Sequence, residues 1–225
     1  MKKLAAIFFA AVLFFFPSFA EKPFKEAAID ASEKKIALTF DDGPNPRYTD
    51  AVLDILSEYG IKATFFVIGK NAELYPDPLL RAIREGHEIG NHTYSHPHMR
   101  KLSREETEKE ILSCQELLYD TFGVLPSLFR PPEGFLGQFE EEITSSIGLK
   151  TVLWSIDTRD WEAKPANKIV SSIKESIKSG KVLLFHDYIS GKNTTIPALR
   201  EIIPYLLLNG YEFCTVSELM SLEQK

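Results

Sequence analysis

Cysteine is scarce: the 225 residues hold two, Cys114 and Cys214, and neither has a Cys-x-x-Cys partner. That excludes a disulfide-dense scaffold and a thiolate cluster, and leaves either one disulfide or two small buried hydrophobes. Cys114 falls in a helical pattern and Cys214 in a short apolar run, which favours the second reading. Basic charge is also short, with 26 Lys and Arg against 32 Asp and Glu. The net charge of −6 argues against a nucleic-acid partner or adhesion to anionic lipid. No low-complexity stretch or internal linker divides the chain. The one long apolar run, residues 4–16, is too short to span a bilayer comfortably.

The surroundings of that run give it a meaning. Lys2 and Lys3 precede it, Pro17 ends it, and Ser18-Phe19-Ala20 supplies small residues where a signal peptidase reads. This is the layout of a secretory signal peptide, with an uncleaved anchor as the alternative. The expectation is export to the cell envelope or beyond, with residues 1–20 removed. That loses two lysines and no acid, so −6 becomes −8. Residues 21–33 read as a short polar tether, and residues 34–225 as one domain.

Within the domain, short apolar runs alternate with helical patterns. Strands are expected at residues 36–40, 63–68, 87–91, 127–130, 151–156, 182–185 and 211–216. Helices are expected near 49–59 and 78–85, then over 103–122, 139–147, 166–179, 196–208 and 217–222. Ser103 with Glu106 three residues on makes a capping box. Gly60, Gly123, Gly148, Gly180 and Gly210 fall where helices should stop. About seven such units argue for a parallel α/β domain, a distorted (β/α)7-type barrel rather than a doubly wound sheet.

The chemically capable residues gather after the strands. Asp41 and Asp42 follow the first, and His92 and His96 the third. Arg130 ends the fourth; Asp157, Asp160 and Trp161 follow the fifth; His186 and Asp187 end the sixth. In a β/α barrel those ends converge on one face, where active sites are built. Two histidines spaced His-x-x-x-His beside a carboxylate suit zinc or another first-row divalent ion. His87 and His98 have no matching partner and read as structural or exposed.

Five segments then carry a resemblance. Residues 39–44 (TFDDGP), 91–96 (NHTYSH), 130–134 (RPPEG), 157–161 (DTRDW) and 184–186 (LFH) occur in this order. Together they resemble the five motifs of the polysaccharide deacetylases with a NodB-homology domain (carbohydrate esterase family 4), over about residues 34 to 220. The resemblance implies that Asp42, His92 and His96 hold a metal, usually zinc, and that Asp41 is the general base. It implies that Arg130 orients Asp41, and that His186 is the acid that protonates the departing amine, its pKa raised by Asp160. Trp161 and Leu184 would line the pocket for the acetyl methyl, with Pro131 and Glu133 on the substrate groove. The family usually has Tyr where this chain has Glu133; the backbone N–H credited with holding the oxyanion survives that change.

The implied activity is removal of N-acetyl groups from an amino-sugar polymer. Peptidoglycan comes first among the candidates, then chitin-like glycans, other envelope glycans and O-acetylated xylan. No stable protein partner is implied. Two histidines and a carboxylate also mark non-haem Fe(II) oxygenases, but that reading leaves Asp41, Arg130, Asp160 and His186 without work. The remaining rival is a catalytically weak or inactive glycan-binding envelope protein on the same scaffold, supported by Glu133 alone.

Overall fold

The computed structural model describes residues 22–223 except 190 and 192, so the expected signal peptide lies outside the described residues. Eight parallel strands are described: β1 (Lys35–Asp41), β2 (Thr64–Val67), β3 (Glu88–Asn91), β4 (Leu128–Phe129), β5 (Lys150–Thr151), β6 (Ile156–Asp157), β7 (Val182–His186) and β8 (Glu212–Cys214). The helices are α1 (Tyr48–Glu58), α2 (Gly69–Leu74), α3 (Pro76–Arg84), α4 (Arg104–Phe122), α5 (Gln138–Ser146), α6 (Ala166–Ser176), α7 (Thr195–Leu208) and α8 (Val216–Glu223). Among the described residues no helix is long and apolar enough to cross a membrane.

The sheet runs β5-β4-β3-β2-β1-β7-β6, with β8 paired to β1 off that path. Its two edge strands, β5 and β6, are neighbours in sequence. One segment therefore joins both edges and curls the sheet into a barrel. The single strand expected at 151–156 is thus two short ones. Lys150 and Thr151 pair with β4, Ile156 and Asp157 pair with β7. Between them the carbonyls of Val152 and Leu153 turn to a buried arginine, Arg130, instead of a strand. Counted as one segment, the total is the expected seven, plus α2, which was not expected.

The tether reading also meets a difference. Phe24 forms a parallel bridge with Val152, and Glu26 an antiparallel one with Lys181. Ala27 is buried, its N–H donates to Gly180 O, and a Cβ on Gly180 would collide with the Ala27 carbonyl. Apolar Phe24 and Ala27 have a core face available, so this stretch docks on the barrel rather than spacing it from something else.

Strand alternation separates two interiors. Along β1, Ile36, Leu38 and Phe40 face the helices, in one cluster with Leu53 of α1, Ile173 of α6 and Ile202 of α7. Phe40 stacks with Phe65 at 5.1 Å and with Phe185 at 5.9 Å between ring centroids. Truncating Phe40 to Ala should cost about 3–5 kcal/mol. The other face points into the barrel. Ala37 there packs with Phe66, Val182 and the α8 residues Val216 and Leu219. Thr39 and Asp41 follow it on the same face, so the interior turns polar toward the strand C-termini.

Most helix signals match the architecture, but α6 stops at Ser176 with Ile177 as its cap, so Gly180 does not end that helix and instead makes room for Ala27. The Ser103–Glu106 capping box is formed at the start of α4, and Gly123 ends that helix at φ 69°. Cys114 and Cys214 are free, buried thiols.

Candidate active site

Asp41 and Asp42 are consecutive, and on a regular strand they would point to opposite faces. Asp41 is the last residue of β1; Asp42 leaves the strand at φ 76°, in the left-handed region. That turn lets both carboxylates approach the histidines. His92 Nε2 lies 3.8 Å from Asp41 Oδ2 and 3.5 Å from Asp42 Oδ1. His96, itself at φ 55°, brings its Nε2 to 3.4 Å from the same Asp42 oxygen. Ligand atoms of Asp42, His92 and His96 all lie within 4.8 Å of one another.

These three fit a divalent ion. Tetrahedral zinc with bonds of about 2.0 Å sets its ligand atoms about 3.3 Å apart, close to the 3.4 and 3.5 Å found here. His92 is also oriented for it. Its Nδ1 contacts Arg130 O at 2.7 Å, so as a donor there it leaves the Nε2 lone pair toward the cluster. The electrostatics favour positive charge at this point. Burial depresses the His92 imidazole, yet Asp41 and Asp42 more than reverse it. Burial opposes the charge of Asp42, but His92, His186 and His96 carry its carboxyl below the ordinary value. Burial and the neighbouring His92 lower His96, so the two rings do not favour carrying protons together.

Arg130 lies at the bottom of the mouth with no exposed surface. Its Nη1 donates to Asp41 Oδ1 at 2.7 Å and to Thr39 Oγ1 at 2.8 Å. Nε and Nη2 donate to Val152 O at 3.2 Å and Leu153 O at 3.0 Å. The guanidinium also stacks on Phe66, 4.0 Å from the ring centroid. Burial lowers its pKa and the Asp41 charge opposes that.

The neighbouring strand in the sheet is β7. Asp41 is in register with His186 and Thr39 with Leu184, so Leu184 and His186 share the barrel-facing side. His186 Nδ1 contacts Asp160 Oδ1 at 2.7 Å, and its N–H donates to Asp160 Oδ2 at 2.9 Å. Thr195 Oγ1 donates to that Oδ2 at 2.7 Å, completing a fully buried carboxylate. Burial alone would lower the His186 imidazole. The Asp160 hydrogen bond and charge, with Asp41 and Asp42, raise it to about 9.

The structure brings together Asp41, Asp42, His92, His96, Arg130, Asp160, Leu184 and His186. The rest of the expected set is at the rim. Trp161 is half exposed beside Asp160, and Pro131 is buried next to Arg130. Glu133, at φ 57°, turns its carboxylate to His98 Nδ1 at 2.8 Å rather than to the metal cluster or Arg130. His98 is thus an exposed partner of Glu133. His87 is buried, accepts from Ala63 N–H at 3.2 Å and is held by burial at about 4, a structural histidine. Sequence reading missed Thr39, Thr195 and Asn71, whose Nδ2 donates to Asp42 O at 2.7 Å. For Thr39 a signal existed: two positions before Asp41, it shares that face by strand alternation.

A barrel with a His-His-Asp cluster beside a buried Asp–Arg pair and a buried Asp–His pair defines a hydrolase-type centre, ready for a cation and for proton transfer by two separate groups. Comparison with known proteins gives the family. Residues 28–152 match the polysaccharide deacetylase model, and the chain belongs to that family. It is 41% identical over 191 residues to a peptidoglycan-N-acetylglucosamine deacetylase of Bacillus cereus, covering 84% of this chain and 89% of the relative. It is 38% identical to the peptidoglycan-N-acetylmuramic acid deacetylase PdaC of Bacillus subtilis, over 89% of this chain but 42% of that longer protein. The solved structure of that deacetylase matches with a TM-score of 0.79, covering 87% of this chain and 94% of that one. A pseudoenzyme of carbohydrate esterase family 4 from Bacillus anthracis has the same TM-score at 25% identity, over 86% and 67% of the two chains. Fold alone therefore does not carry activity.

Proposed function

We propose that this chain is a metal-dependent polysaccharide N-deacetylase acting on the amino sugars of peptidoglycan, with zinc held by Asp42, His92 and His96. One observation carries the reading: the Asp41–Arg130 and Asp160–His186 pairs, side by side on paired strands, both border the same ligand cluster. A divalent cation held there supplies Lewis acidity toward an acetyl carbonyl. Asp41, oriented by Arg130, takes the proton of the attacking water. His186 Nε2 gives a proton to the amine that leaves as the C–N bond breaks, and Asp160 keeps the ring in the matching tautomer and orientation. Leu184 and Trp161 shape the place for the acetyl methyl, and the backbone N–H of Glu133 is the candidate oxyanion donor.

The peptidoglycan deacetylases among the relatives support this substrate, as does the signal-peptide layout of residues 1–20, which we read as export to the envelope. An inactive glycan-binding role finds no support in the site, since every ligand and proton-transfer group is present. Acetate release from peptidoglycan and acetylated chitooligosaccharides is the test, with added zinc and then with chelator. Zinc-dependent, chelator-sensitive release is expected. A zinc-loaded protein that releases no acetate from either polymer sinks the proposal.

A further inference from the structure

Asp187 follows His186 and has no part in the chemistry above, yet it is 1% exposed. Its Oδ2 accepts from the Thr49 hydroxyl at 2.5 Å, and among the described residues its Oδ1 has no hydrogen-bond partner. Burial, with the charge of Asp42 nearby, pushes this carboxyl up to about 7, against the hydrogen bond from Thr49. An acid so placed costs stability unless its position serves something.

Its position bears on the metal ligand. The carboxylate lies so close to Gly43 that a Cβ there would overlap it. Gly43 is not among the positive-φ glycines, so what it supplies is room. The next residue back, Asp42, is the one at φ 76°. A non-glycine residue in that region persists only where its surroundings over-determine it. Here three elements hold the turn. Asp187 N–H donates to Asp41 O at 3.2 Å, Asn71 Nδ2 to Asp42 O at 2.7 Å and Ile68 N–H to Gly43 O at 3.0 Å. Thr49 Oγ1 accepts from Asn45 N–H at 2.8 Å while donating to Asp187, which ties the far end of the loop to the same carboxylate.

We propose that Asp187 is a positioning residue for the metal site. Wedged against Gly43 and anchored on Thr49, its side chain holds the 41–43 turn in the conformation that presents Asp42 to the histidines. The inference rests on Asp42, His92 and His96 being the ligands.

The experiment is zinc affinity, measured by chelator competition on the folded full chain, with thermal unfolding of the metal-free protein as the fold control. Asp187→Ala should weaken zinc binding about 10–100-fold, the usual loss when the support of a ligand is removed. Asp187→Asn fills the same space and keeps an acceptor for Thr49, so it should stay within a few-fold of wild type. Wild-type affinity in a folded Asp187→Ala protein overturns the proposal, and so does an Asn variant as weak as Ala. If Asp187→Ala does not fold, Thr49→Val is measured instead: a several-fold loss is expected, and unchanged affinity overturns the idea. Failure of the underlying reading looks different, because then wild type binds no zinc or His92→Ala binds as tightly as wild type.

Discussion

The two sides of the mouth are built on opposite principles. On one side, Asp41, Arg130, Asp160 and His186 form buried pairs in which nearly every polar atom is partnered; Arg130 alone makes four hydrogen bonds. On the other, Asp42, His92 and His96 turn acceptor atoms toward one another, with the Asp42 and His96 side chains 26% and 31% exposed. The first side is tied into the barrel by the carbonyls of Val152 and Leu153, between β5 and β6. In the second, Asp42 and His96 sit on loop turns at positive φ, an arrangement suited to a cation. The groups proposed for proton transfer thus belong to the fold's stability, whereas the proposed ligands belong chiefly to the proposed metal site.

That contrast can be broken directly. Arg130→Met should lower the unfolding free energy by about 3–5 kcal/mol, because it leaves Asp41 buried without its counter-charge. Urea unfolding of metal-free protein measures this. His92→Ala should abolish zinc binding and turnover, yet cost the metal-free fold only about 1 kcal/mol for the lost bond to Arg130 O. Equal destabilisation by the two would erase the distinction. Smaller in stability but sharp in chemistry, Asp41→Asn and His186→Ala should each retain zinc and lose about 10²–10⁴ in kcat. An Asp41→Asn protein without zinc would exchange the roles of the two aspartates.

His186 offers a pH-dependent form of the same comparison. Its folded-state pKa is raised from 6.5 to about 9. The stability it contributes is therefore complete below about 6.5 and lost as pH rises through about 9. Metal-free protein should weaken by a few kcal/mol across that window. Asp160→Asn, which removes the main partner of the imidazole, should flatten the loss. A wild-type curve flat from pH 6 to 10 would count against the pair as a stabilising element.

Much of this was legible in the sequence because a strand end is marked twice, by an apolar run that stops and by polar residues that begin. Asp41, His92, Arg130 and His186 all announce themselves so. Periodicity could not reveal that residues 150–157 pair on two sides, since an apolar segment reads alike whether its partners are one strand or two. What splits it is Arg130, whose demand for the Val152 and Leu153 carbonyls is a long-range contact. Phe24 was hidden similarly: a lone aromatic in a polar stretch looks like a tether until Leu153 N–H is found donating to its carbonyl at 2.7 Å. The left-handed turn at Asp42 left no local signature either, because its cause lies in Asn71, Ile68 and Asp187.

The smallest expected effect concerns Glu133, at the rim between the two sides. Its carboxylate is paired with His98, and the two side chains are 50% and 65% exposed. A pair so exposed contributes about 0–1 kcal/mol, so replacing it should leave thermal stability nearly unchanged. The candidate oxyanion donor at this position is backbone, which Glu133→Tyr retains. The transition-state term should therefore survive, with kcat changing modestly while KM or substrate preference shifts. The direction follows from charge: removing an acid from the rim relieves repulsion of anionic glycans, so KM should fall more on an acidic acetylated polymer than on a neutral one. Glu133→Gln separates charge from ring shape, and should reproduce the charge-dependent part alone. Kinetics of both variants on neutral and anionic acetylated glycans, with zinc content checked alongside, decide the matter. A collapse of kcat on every substrate with loss of zinc would mean that Glu133 supports the ligand cluster, and the division of the mouth into two sides would have to be redrawn through its rim.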